Sequence, residues 1–152
     1  MMRTSQRITT ACSLMLAAGV LLVGCAAPQP KGPLSEKLAR VTLETRPQDR
    51  IEAYRLDGQL VSGLHFDDLA PGNHDLRVRY YFEIPGSAGG AGSLGESRWE
   101  RCILGVRYAG FDGGQDYIFQ AQPMGFRASG SLRSANGEKL AEAQVIRCGP
   151  AA

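Results

Sequence analysis

The chain has 152 residues, with 17 Lys and Arg set against 15 Asp and Glu, a formal charge of +2 at neutral pH. Two of those cations, Arg3 and Arg7, stand at the extreme amino terminus, and the 15 remaining basic residues balance the 15 acids. A balanced chain lacks both the basic footprint that nucleic acid requires and the polybasic patch that grips anionic headgroups, so neither is expected as a partner.

Behind Arg3 and Arg7, an apolar run from about Ala11 to Val23 carries no charge. At about 13 residues it is shorter than the roughly 20 that a permanent transmembrane helix needs. It ends in a small residue, Gly24, directly before Cys25. This is the pattern of an export signal. Leu22-Val23-Gly24-Cys25 resembles the lipobox of bacterial lipoproteins. That resemblance implies a signal peptide over residues 1–24, acylation of Cys25 by palmitate-type chains, and contact with a membrane through those chains. Ala26 follows where enteric lipoproteins kept in the inner membrane carry an aspartate, so the same resemblance implies an outer-membrane address with the body facing the periplasm. Residues 25–36 hold Pro28, Pro30, Gly32 and Pro33 and read as a flexible tether. Fully extended, the stretch from Cys25 to about Ser35 would hold the domain up to roughly 35 Å from the lipid surface. Residues 37–150 remain for one domain.

Ser35 to Arg40 has room for one helical turn, and Val41 to Thr45 alternates as a first strand closed by Pro47. Ile51 to Leu56 follows, and Asp57-Gly58 has the chemistry of a tight hairpin turn returning through Gln59 to Ser62. His65 to Leu69 leads into Pro71-Gly72-Asn73. His74 to Ile84 has the plainest period of two: Leu76, Val78, Tyr80, Phe82 and Ile84 fall on one face, and Asp75, Arg77, Arg79, Tyr81 and Glu83 on the other. Pro85 to Ser97 is a glycine-rich loop. Trp99 to Tyr108 resumes the alternation with Cys102, Leu104, Val106 and Tyr108 on one side. Asp112-Gly113-Gly114 turns the chain into Tyr117 to Gln122, ended by Pro123. Phe126, Ala128, Gly130 and Leu132 alternate along the next strand, and Asn136-Gly137 delivers Glu138 to Cys148. That last segment has some helical spacing at Leu140, Ala141, Ala143 and Gln144, but its turn and Val145-Ile146 favour a strand. The expected fold is all-β: a single antiparallel β-sandwich or small barrel of six to eight strands.

Of four cysteines, Cys12 lies in the apolar run and Cys25 is the acylation candidate. Cys102 and Cys148 remain as a pair, and an oxidising compartment makes a disulfide the expectation, with two buried free thiols as the alternative. Two cysteines without close partners do not make a zinc site, and no metal or cofactor is expected. His65 and His74 are the only histidines, and the nearby Asp67, Asp68 and Asp75 supply no catalytic arrangement that sequence alone reveals. Asp67 and Asp68 read as solvated loop acids, because the spaced oxygen ligands of a calcium loop are missing. Gly90-Ala91-Gly92-Ser93-Leu94-Gly95 matches the dinucleotide fingerprint in letters but precedes a strand, where no helix amino terminus meets a pyrophosphate. Ser93 lacks the glycine frame of a hydrolase elbow. No catalytic residue is expected.

Trp99, Arg98 and Arg101, with Tyr81 and Arg77 or Arg79, form a candidate aromatic and cationic surface able to stack on sugar rings or grip an acidic partner. The plainer alternative makes Trp99 a cap on the core. Leu56-Asp57-Gly58 followed by Leu69-Ala70-Pro71-Gly72-Asn73-His74-Asp75-Leu76-Arg77-Val78 resembles the PEGA-type β domain. That resemblance covers about residues 51–84 and implies a small sandwich with binding or scaffolding roles on the bacterial envelope. Together these features lead us to expect a non-catalytic lipoprotein binding an envelope protein or cell-wall material. The alternatives are a small envelope hydrolase using His65 or His74, and a pilotin-like accessory of a secretion or pilus system.

Overall fold

The computed structural model describes residues 32–86, 97–149 and 152. The expected signal peptide, Cys25, the first part of the expected tether and the glycine-rich stretch from Ser87 to Gly95 lie outside the described residues. Eight strands follow in chain order: β1 (Arg40–Glu44), β2 (Arg50–Leu56), β3 (Gln59–Leu60), β4 (Gly72–Ile84), β5 (Arg98–Phe111), β6 (Asp116–Met124), β7 (Arg127–Ser134) and β8 (Lys139–Cys148).

They form one ladder in the order β1-β6-β7-β8-β5-β4-β2-β3, which does not close into a barrel. β8 divides its pairing. Its first half pairs with β7 up to Ala143, and its second half, from Gln144 to Cys148, pairs with β5. The ladder thereby folds over at β8 into two layers, a sandwich-like arrangement. The layers approach closely at Gly130, where an added Cβ would lie 3.2 Å from Leu104 Cδ1 and from Ala143 Cβ. At the open side, Ala39 and Leu69 exchange backbone hydrogen bonds of 2.8 and 2.7 Å.

The sheet is mixed rather than purely antiparallel, because β1 runs parallel to β6. Hairpins join antiparallel neighbours only, and β1 is separated from β6 by the whole of β2 to β5, which leaves it free to arrive in the same direction. Pro123 does not end its strand: it pairs with Ala128, and β6 continues to Met124. β1 stops opposite Gln120, so no strand flanks β6 there and the missing N–H breaks no ladder bond.

The turns follow their residues. Asp57 and Gly58 both take positive φ, 50° and 83°, as the tight turn between β2 and β3 requires. At the β7–β8 hairpin, only Gly137 is left-handed, and its N–H donates to Ser134 O, so the turn spans Ser134 to Gly137. Gly125, at φ 64°, turns β6 into β7 and places Phe126 in the loop, where it is 71 % exposed instead of pointing inward as its alternation suggests. Ser35 to Leu38 closes one hydrogen-bonded turn, and β1 begins two residues later. Residues 65–69 form no strand, but Phe66 and Leu69 are buried and seal the core there.

Leu76, Val78, Tyr80, Phe82 and Ile84 all face the core, opposed by Cys102, Leu104 and Val106 of β5 and by Phe119 and Leu132 from the other layer. Burying each large apolar side chain stabilises the fold by about 1.5–3 kcal/mol. Tyr108, expected inward, is half-buried, and Phe111 fills the interior in its place, beyond a register shift opposite Gly72 and His74. The Tyr80 hydroxyl donates to Asp49 Oδ2 at 2.6 Å, and Arg46 donates two further bonds to the same carboxylate. Burial, and then the Asp49 hydrogen bond, push the Tyr80 phenol well above its usual range.

Cys102 and Cys148 are direct register partners on β5 and β8 and are joined by a disulfide. With a sequence separation of 46, the bridge ties the end of the folded-over strand to the centre of its layer. Replacing both cysteines by alanine is expected to lower unfolding free energy by about 4 kcal/mol, on the chain-entropy relation. Urea denaturation of the purified protein measures this, and an unchanged midpoint would show the bridge to be energetically idle.

Candidate binding face

β-strand alternation sets which side chains share the outer face of the β2–β4–β5–β8 layer. Asp75, Arg77, Arg79, Tyr81 and Glu83 project from β4 away from the core, as expected. Their register partners across the ladder share that face: Arg55, Glu52 and Arg50 on β2, and Arg107, Gly105, Ile103, Arg101 and Trp99 on β5. Arg147 of β8 joins them opposite Ile103.

Five of the six side chains singled out from sequence therefore lie together: Trp99, Arg101, Tyr81, Arg77 and Arg79. Arg98 does not. It pairs with Ile84, on the opposite side of the strand from Trp99, and its exposed guanidinium lies 3.8 Å from the half-buried Glu100 carboxylate. Trp99 does not cap the core. It is 61 % exposed, opposite Glu83. Arg50, Glu52, Tyr54, Arg55, Arg107 and Arg147 belong to the same surface and escaped the sequence reading. The alternation of Arg50 and Glu52 with Ile51 and Ala53 carries a signal for the first two. A bulge between Ala53 and Arg55 hides the next two.

The guanidinium groups are held in place by aromatic rings. Arg79 stacks over Tyr54 and Arg50 over Tyr81, each with its carbon 4.1 Å from the ring centre. Tyr81 donates to Glu52 at 2.9 Å, and Arg79 lies 3.7 Å from the same carboxylate. Arg77 and Arg107 both reach Asp75 at 3.2 Å. Hydrogen bonds from Arg77, and then from Arg107, hold the Asp75 carboxyl below its ordinary range. Arg55, with Arg79 beyond it, lowers the Tyr54 phenol in the same way. Arginine stems also cover apolar surface: Ile103 lies on this outer face between Arg79 and Arg147 and yet is 4 % exposed. Beside Gly105 lies a concavity of about 340 Å³ lined by Asp75, Arg77, Arg107, Glu142, Gln144 and Ile146.

The face carries Arg50, Arg55, Arg77, Arg79, Arg101, Arg107 and Arg147 against Glu52, Asp75 and Glu83, with Glu142 of β8 at its edge beside Asp75. It is cationic although the chain is nearly neutral. Among the described residues, Arg50 and Arg147 have no carboxylate partner.

The histidines lie elsewhere. His74 Nδ1 sits 2.7 Å from Asp57 Oδ2 and Nε2 sits 2.8 Å from Ala70 O, while the Asp75 N–H donates to Asp57 Oδ1 at 2.8 Å. Both ring nitrogens face oxygens that only accept, so both are satisfied only when the ring carries two protons. Burial opposes that charge, but the Asp57 and Ala70 bonds outweigh it and raise the His74 pKa above its ordinary value. Conversely, Asp57 is lowered: burial acts against ionisation and is outweighed by the Asp75 N–H and His74. His65 is exposed, outside any strand. Asp68 is not a solvated loop acid. It accepts two bonds from Arg40, at 2.9 and 2.8 Å, which raise the Arg40 pKa. Asp67 remains exposed.

Comparison of the chain with protein-family models, with curated proteins and with solved structures finds no match.

The His74–Asp57 clasp makes stability depend on pH. The raised His74 pKa contributes stability in full below the ordinary imidazole value and loses it as pH rises through the folded value. The lowered Asp57 pKa contributes above the ordinary carboxylate value and loses its share as pH falls. The advantage of the native protein over His74→Gln is therefore expected to be largest between about pH 4 and about pH 6.5. Urea midpoints across pH measure it, and a difference that grows above neutrality would refute the doubly protonated clasp.

Proposed function

We propose that this chain is a non-catalytic lipoprotein of the outer membrane, anchored by acyl chains on Cys25, whose periplasmic β-domain binds an envelope partner. The observation that carries the binding role is the outer face of the β2–β4–β5–β8 layer, where arginines and aromatic rings gather on an otherwise balanced chain. Arg, Tyr and Trp are the residues that dominate binding energy at macromolecular interfaces. Their stacking limits the rotamer freedom that would be lost on docking. The lipobox-like Leu22-Val23-Gly24-Cys25 supports the anchor, and a disulfide between Cys102 and Cys148 suits an oxidising compartment.

Two measurements in intact cells test this reading. Metabolic labelling with a palmitate analogue is expected to mark the protein, and Cys25→Ala is expected to abolish the label and release the protein from the membrane fraction. A photoreactive residue at Trp99 or Arg147 is expected to yield a discrete cross-linked adduct, whereas one at Gln122, on the other layer, is not. Adducts that form equally from Gln122 would remove the face from consideration.

A further inference from the structure

The chemistry of the face narrows its partner. Carbohydrate platforms present bare aromatic faces to sugar rings, but here Tyr54 and Tyr81 each already carry a stacked guanidinium. Trp99 is the exposed aromatic ring on this face among the described residues. Membrane-binding faces combine cations with several inserted apolar side chains, yet Ile103 here is covered, and the large apolar side chains exposed on the face are Trp99 and half-exposed Ile146, at opposite ends of β5's run from Trp99 to Gly105. What the face does offer is forked donors. A guanidinium presents paired N–H groups that match a carboxylate in a bidentate fashion, and its stacking fixes the plane of the fork before a partner arrives. No lysine occupies the positions that share this face.

Spacing points the same way. Arg77 and Arg79 stand two residues apart on β4, about 6.7 Å along the strand. That is also the distance between side chains on one side of any extended polypeptide. Arg50 and Arg147, at the two flanks of the layer, have no carboxylate partner among the described residues and so bracket the central pair with uncommitted charge.

From this we infer that the outer face docks an extended, carboxylate-rich protein segment running along β4 over the β4–β5 pair, an inference that rests on the face being the binding surface proposed above.

The test uses the purified full chain in detergent, with fluorescently labelled short poly-L-glutamate as the probe. Binding is expected, with affinity falling at least about tenfold between about 50 and about 300 mM NaCl as screening shortens the reach of the charges. The double variant Arg50→Gln/Arg147→Gln is expected to weaken binding about tenfold or more. Arg79→Lys, which keeps the charge and loses the fork, is expected to weaken it several-fold. Arg127→Gln, on the other layer, is expected to leave it unchanged, with circular dichroism reporting that all variants are folded. Failure to bind poly-L-glutamate, equal weakening by Arg127→Gln, or tighter binding of soluble peptidoglycan fragments or phosphatidylglycerol vesicles would overturn the inference. If cross-linking at Trp99 and Arg147 persists in such a case, only the class of partner is wrong. If it is lost as well, the binding face itself is wrong.

Discussion

Everything in this domain depends on the register of β4. Its apolar residues Leu76, Val78, Tyr80, Phe82 and Ile84 point into the core while Arg77 and Arg79 point out. A slip of one residue would exchange the two sets and drive guanidinium groups into an apolar interior, a cost no fold of this size bears. β4 lies between β2 and β5, so its alternation is imposed on both neighbours through the ladder. The core and the cationic face are therefore two consequences of one period.

That coupling explains why the outer face is so ordered. On a free strand, long side chains sample many rotamers, but here Arg50 and Arg79 lie on tyrosine rings and Arg77 and Arg107 converge on Asp75. Ile103, flanked by Arg79 and Arg147, is buried on the same face, which adds a hydrophobic contribution to an arrangement of charges. At Gly105 the same layer has no side chain of its own. An added Cβ there would lie 2.8 Å from Ile146 Cδ1, so the glycine is what lets β8 lean across the face.

The strands written in strict alternation were legible, and so was the Asp57-Gly58 turn, because both signals are local. The direction of β1 was not, since pairing it with β6 depends on strands far away in the chain. Pro123 misled because its meaning depends on whether a neighbour flanks that point of β6, which only the length of β1 decides. Phe126 misled because Gly125 absorbs the turn and shifts the start of β7. At the candidate face, Arg98 and Trp99 are adjacent in sequence and opposite in space, whereas Arg50 and Tyr81 are distant in sequence and stacked. The Arg40–Asp68 pair is invisible for the same reason: two loop-flanking residues meet only once β1 has docked.

The parallel docking of β1 has a mechanical side. Were a pull on the amino end to act along the axis of β1, it would meet a parallel ladder with β6 that runs from Arg40 to Glu44 and an entrance stapled by Ala39 to Leu69. Force applied in that line is resisted in shear, shared by several backbone bonds at once, instead of peeling them one after another. A body tugged repeatedly through its leading segment would keep its shape under loads that would unzip a hairpin.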